Sequence, residues 1–138
     1  MAVHRDTFSV KTSGRISLEN ITSEVESRLA DGKVRVGTAT IHVPHTTTAL
    51  AVNEDEPGLR NDILRLAKEV VEPLRRGGFD HDRVDDNAAS HLTSVLLGNS
   101  LTLPFHDGRL DLGTWENLFL VELDGPRTRT VQVTAVGE

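Results

Sequence analysis

The chain of 138 residues, 15.1 kDa, is long enough for one domain, 1–138, that buries roughly two thirds of its unfolded surface. A formal charge of −6 and a pI near 5.5 exclude a sequence-independent nucleic-acid binder, which needs a basic face. With no cysteine, disulfides and thiolate metal sites are excluded too, so any metal must rest on imidazole and carboxylate.

Residues 3–11 alternate and predict a first strand with Val3, Phe8 and Val10 as apolar anchors. Leu18, Ile21, Val25 and Leu29 recur at helical spacing, and Asp31-Gly32 stops that helix. Lys33 to Val43 is β-branched and alternating, and Pro44 interrupts it. The apolar run Ala49 to Val52 follows. Asn53 to Pro57 then reads as a helix start, with Leu59, Ile63, Leu66 and Val70 on one stripe up to Pro73. Gly77-Gly78 opens a loop, and Asp85 or Asp86 caps a third helix carrying Leu92, Val95 and Leu96. From Ser100 the pattern is strands: one ending at Phe105, a hairpin at Asp107-Gly108, a long strand from Arg109 to Leu123, and a last one from Thr128 to Val136. The fold class is therefore α+β, with about three helices on a two-layer, sandwich-like antiparallel core. No segment approaches the ~20 apolar residues of a membrane span. The N-terminus also lacks a signal-peptide run. The expectation is a soluble, cytoplasmic protein with neither membrane nor nucleic-acid partners.

The chemistry concentrates in His81–His91, HDRVDDNAASH, where two histidines, three aspartates and an asparagine share eleven positions. A packed core has no use for such groups, since each unpaired one costs roughly 1–3 kcal/mol. Asn87 and His91, at i and i+4, share a helix face. His45 opens a second polar segment with Thr46, Thr47 and Thr48, whose hydroxyls suit phosphate oxygens. Either His45, His81 and His91 converge on one ion, or they belong to a solvated loop and an ordinary capped helix. Arg127 and Arg129 lie on one strand face and suit phosphate or carboxylate, unless they pair with Glu122 and Asp124 across the hairpin. No Walker loop, GxGxxG, GxSxG or HExxH motif is present.

Taken together, His45-Thr46-Thr47, the NxD at Asn53 and Asp55, His81-Asp82, the DDNxxxH ending at His91, Leu112-Gly113-Thr114-Trp115 and Asp124-Gly125-Pro126-Arg127 fall in a familiar order. The chain closely resembles the YjbQ-like, secondary thiamine-phosphate synthase family, nearly end to end. The resemblance implies a YjbQ-like fold assembled as a homotrimer, with sites near subunit boundaries. It also implies condensation of a hydroxymethylpyrimidine diphosphate with a thiazole phosphate, releasing pyrophosphate. The polar positions it carries over are His45, Asn53, His81, Asp86, His91, Trp115, Glu122 and Arg127.

On this reading His45, His91, Arg127 and Glu122 are catalytic. Thr46, Thr47, Asn53, Asn87, Trp115 and Arg129 bind a small phosphorylated metabolite. His45, His81, His91 and Asp86 hold a divalent metal, zinc or magnesium. The alternatives are a metal- or phosphometabolite-binding trimer without turnover and a metal-dependent hydrolase. Two departures from the family stand out: Glu116 where glutamine is common, placing a negative charge near the expected site, and Phe79 where tyrosine is common.

Overall fold

In the computed structural model, which describes all of residues 1–138, strands β1 (Ala2–Lys11) and β2 (Ser17–Asn20) lead into helix α1 (Thr22–Ala30). Strands β3 (Val36–His42) and β4 (Thr48–Asn53) precede α2 (Pro57–Glu69). Single 3-10 turns at Glu72–Arg75 and Asp80–Arg83 lead to α3 (Ala88–Leu97). The chain closes with β5 (Ser100–His106), β6 (Arg109–Leu110), β7 (Asn117–Glu122) and β8 (Thr128–Gly137). All pairings are antiparallel, giving a five-stranded sheet β1-β8-β3-β5-β6 and a three-stranded sheet β2-β7-β4.

Alternation in the strands explains how the layers stack, because successive side chains leave opposite faces. Ala39 and Ile41 of β3, Val131, Val133 and Ala135 of β8, and Leu118 and Leu120 of β7 meet between the sheets. Val25 and Leu29 of α1 close that core from one side. The intervening residues of β7, Phe119 and Val121, point the other way and pack with Leu18, Ala49 and Ala67 under α2. The small sheet is thus buried on both faces, which is why β7 reads as a continuous apolar run.

Three expectations need correction. Leu18 belongs to β2, and α1 starts only at Thr22; its spacing from Ile21 matches a helix by coincidence. The expected strand from Arg109 to Leu123 is two strands in different sheets, β6 and β7. Between them Gly113 to Glu116 form a turn, with Glu116 N–H donating to Gly113 O at 3.0 Å and Gly113 N–H donating to Glu116 Oε1 at 2.8 Å. The chain uses this turn to change layers. Finally, neither Asp85 nor Asp86 caps α3: Ala88 N–H donates to Asp82 Oδ1 at 2.9 Å, and Asp82 Oδ2 is held by Arg75 at 3.1 Å. The cap comes from the preceding 3-10 turn folding back, which local spacing does not reveal.

Candidate functional site

The inward rows of β7 and β8 run past the apolar core to its open end. Glu122 continues the row of Leu118 and Leu120, and Arg129 continues the row of Val131 and Val133. The two side chains meet there, with Arg129 Nε donating to Glu122 Oε1 at 2.8 Å and Nη2 donating to Oε2 at 2.5 Å. Glu122 is wholly buried and also accepts from Thr12 Oγ1 at 2.8 Å and from the Leu123 and Asp124 amides at 3.0 Å. Burial alone would raise its pKa; the hydrogen bonds from Arg129, the Asp124 amide and Thr12 outweigh this and hold it below the usual range. Arg129 Nη2 further donates to Thr47 Oγ1 at 2.8 Å, leaving Nη1 as the amino group without a protein partner.

His45 is placed by a gap in the large sheet. The β3–β8 ladder ends at the pair His42–Gln132, and Pro44 then takes the chain out of register. The Thr130 N–H, left without a β3 carbonyl, donates instead to His45 Nε2 at 2.9 Å, as buried backbone donors must find some acceptor. An Nε2 that accepts cannot carry a proton, so His45 is neutral with its proton on Nδ1. Burial and then the Arg129 charge lower its pKa, and the nearby Glu122 only partly opposes them.

The DGPR turn supplies the next wall. Asp124 Oδ2 accepts from Asn87 Nδ2 at 2.9 Å and from Arg127 Nη2 at 3.3 Å, while Arg127 Nε donates to the Asp124 carbonyl at 2.7 Å. Burial works to raise Asp124, but the hydrogen bonds from Asn87 and Arg127 hold its pKa below the usual range. Gly125 is required for close approach: a Cβ there would lie 2.5 Å from Gly14 O and 2.6 Å from Glu122 Cγ. On the far side His91, one turn into α3, packs against His81 in an edge-on arrangement, ring centroids 4.6 Å apart. Asn87 Oδ1 and His81 Nε2 are buried with no partner in the protein.

These groups surround a pocket of about 360 Å³. Its walls include His45, Thr46, Thr47, Asn87, His91, Arg127 and Arg129 from the sequence-based set, together with Pro44, Asp85 and Asp124, and no apolar side chain except the proline ring. The remaining candidates lie elsewhere. Glu122 stands behind Arg129 and His81 behind His91. Asp86 does not line the pocket; its backbone is left-handed (φ 54°), and its neighbour Asp85 reaches the wall instead. Asn53 and Trp115 line a different depression, with Val52, Glu54 and Glu116. The register pairs Thr48 with Glu122 but Asn53 with Asn117, so the two places sit at opposite ends of β4, about 17 Å apart at ~3.3 Å per residue. Glu116 therefore adds no charge beside the His45 pocket.

The expected metal set also comes apart. No group of three or more histidine, aspartate or glutamate side chains is placed to hold one ion. His45 Nε2 is committed to Thr130, and only His81 and His91 are neighbours. The donor set does not fit a three-ligand zinc site.

A profile of the family described as UPF0047 protein YjbQ-like matches residues 6–138. The chain belongs to that family. A UPF0047 protein of Archaeoglobus fulgidus is 44% identical over 129 residues, covering 94% of this chain and 98% of its own. The UPF0047 protein YugU of Bacillus subtilis is 36% identical over 135 residues, covering 95% and 98%. A solved YbjQ-like protein of unknown function from Sulfolobus solfataricus superposes with a TM-score of 0.92 at 41% identity over 99% of both chains. The α+β fold with two antiparallel sheets is thus the YjbQ-like fold. Asp85 and Asp124 are the wall residues that sequence reasoning gave other roles, as a helix cap and an ion-pair partner. The signal available for Asp124 was its place in the DGPR turn beside Arg127.

Proposed function

We propose that the His45 pocket binds a small metabolite with an anionic pole and an N–H pole. We further propose that it runs a thiamine-phosphate synthase-type transfer of the kind the family resemblance implies. The observation that carries this reading is the division of the pocket walls. Donors, His45 Nδ1–H, His91 and the guanidiniums of Arg127 and Arg129, face acceptors, the Asp85 carboxylate and the unpartnered Asn87 Oδ1. A hydroxymethylpyrimidine diphosphate offers both complements, phosphate oxygens to the first wall and a ring amino group to the second.

In the reaction the bond from the pyrimidine methylene to the diphosphate oxygen breaks, and its electron pair leaves with the diphosphate. The thiazole nitrogen lone pair forms the new C–N bond, giving thiamine phosphate and pyrophosphate. Arg127 and Arg129 stabilise the charge gathering on the leaving group, and His45 and His91 donate hydrogen bonds to it. No nucleophile or general base is needed, and the pocket contains none committed to such a role; holding the two substrates in contact supplies much of the acceleration. Glu122 touches no substrate on this account; it is a positioning residue for Arg129. No step passes through a protein-bound metal.

The test is to incubate the protein with both precursors and to quantify thiamine phosphate and pyrophosphate together. Equal yields of the two that fall at least about 100-fold in His91→Ala and Arg127→Ala support the transfer, the size expected for lost transition-state hydrogen bonds. No product above heat-treated protein, with binding of the diphosphate retained, replaces it with the second reading, a phosphometabolite-binding protein without turnover.

We also propose assembly with further copies of the chain as a homotrimer. The feature supporting it is α3, which turns Ser90, Thr93 and Ser94 inward and leaves Val95 82% and Leu96 61% exposed beside Leu92 and Leu97. An apolar patch outward and small polar residues inward is the reverse of a solvent-facing helix. In a closed ring of three, each copy can cover the patch of its neighbour with a different surface, so every patch is buried.

A further inference from the structure

A cleft of about 510 Å³ lies outside the pocket described above. It opens between α2 and α3 on the opposite flank of α3 from His91. Ile16, Ala67, Ala89 and Leu123 form an apolar floor, and Arg15, Lys68 and Arg75 stand around it with a single carboxylate, Glu72. In a chain of net charge −6 this local excess of cations is against the overall trend.

The cations differ in their freedom. Arg75 is engaged by both oxygens of Glu72, at 3.0 Å each, and by Asp82 at 3.1 Å. Arg15 is two-thirds exposed and only loosely associated with Asp124, at 3.7 Å. Lys68 has no ion-pair partner. Among the polar groups of the wall, Ser90 Oγ already donates to the Leu123 carbonyl at 2.7 Å. Thr93 also lines the cleft and is almost wholly buried. An apolar floor flanked by the loosely held Arg15 and the unpaired Lys68 gives the cleft the shape and charge that suit an anion with an apolar body.

We propose that the α2–α3 cleft is a second binding site, for a small organic anion carrying an apolar or aromatic body. The body lies on Ile16, Ala67, Ala89 and Leu123. The anionic group lies between Arg15 and Lys68. The wall divides between the apolar floor and the charged rim, matching the two parts of such a ligand. The two sites adjoin at Asp124, which turns Oδ1 toward Arg15 and Oδ2 toward Asn87 and Arg127. The second site stands on its own geometry and does not require the transfer reaction proposed for the first.

Phenyl phosphate is the direct probe, with inorganic phosphate (charge without body) and benzyl alcohol (body without charge) beside it, titrated calorimetrically into the full-length protein. Lys68→Glu reverses an exposed charge, and Ala89→Phe fills the cleft from a half-buried position; both keep the core intact, which circular dichroism checks. We expect saturable binding with a Kd below about 1 mM, at least about tenfold tighter than either fragment probe. Both variants should weaken it at least fivefold, whereas His91→Ala leaves it unchanged. Binding insensitive to Lys68→Glu and Ala89→Phe, or lost in His91→Ala alone, places the anion in the His45 pocket and overturns the proposal. Failure to saturate at about 10 mM overturns it as well, since the affinity would then be under about 3 kcal/mol. None of these outcomes depends on turnover with the thiamine precursors, so the two readings fail separately.

Discussion

Glu122 and Arg129 show how a buried ion pair serves a site it does not itself enter. Removing one partner leaves an uncompensated charge in the sandwich, at a cost of about 3–5 kcal/mol, whereas replacing both by apolar groups is close to neutral. Glu122→Ala is therefore expected to lower the unfolding free energy by that amount in a denaturant titration. The double variant Glu122→Leu/Arg129→Met should recover most of it while still losing anion binding. Recovery of binding along with stability would show that Arg129 has no part in the pocket. His45 makes a pH-dependent contribution. Its pKa is depressed in the folded state, so the unfolded chain binds the extra proton first. The stability it provides is complete above the ordinary histidine value, about pH 6.5, and is lost as pH falls toward the folded value. Glu122 and Asp124, also depressed, add a second loss that begins below about pH 4. His45→Gln, which keeps an acceptor for Thr130, should flatten the first fall in a series of thermal melts and leave the second.

At the scale of elements, α3 depends on a cap borrowed from the turn before it. Asp82→Ala removes the acceptor for Ala88 N–H and frees Arg75, which should cost about 1 kcal/mol and lower the melting midpoint by roughly 3–5 °C. An unchanged midpoint would mean that α3 is held by packing on β4 alone. The same helix shows what the sequence made legible. Periodicity located α2 and α3, and alternation located β1, β3, β5 and β8, where burial on one face leaves a period in the residues; in α3 the apolar residues Leu92, Val95 and Leu96 instead face outward, and Ser90, Thr93 and Ser94 inward. It also brought Asn87 and His91 together through their i, i+4 spacing, and set Arg127 and Arg129 on one wall. Alternation failed at Gly113–Glu116, where the chain leaves one sheet for the other without an apolar interruption. It failed again for the metal set, because the competition of the Thr130 amide for His45 Nε2 is a contact between residues 85 positions apart. Asn53 and Trp115 looked like parts of the same site for the opposite reason: order along the chain says nothing about which end of β4 a residue occupies.

For the whole molecule, two small sheets and three helices leave the outer face of α3 uncovered. If that face joins copies of the chain, light scattering should give about three times 15.1 kDa, and Val95→Glu should bring it to the monomer mass. A wild-type monomer would contradict the assembly. No helix is long and apolar enough to cross a membrane, so α3's apolar surface is not part of a transmembrane helix. The two polar cavities flank the inward side of this same helix, so its placement sets both. The His45 pocket is above all an anion site, and inorganic pyrophosphate, the expected leaving group, probes it most simply. Calorimetric titration of pyrophosphate should show one site of Kd below about 1 mM that weakens at least tenfold in Arg127→Ala and in His91→Ala. Equal affinity in the wild type and both variants would contradict the account.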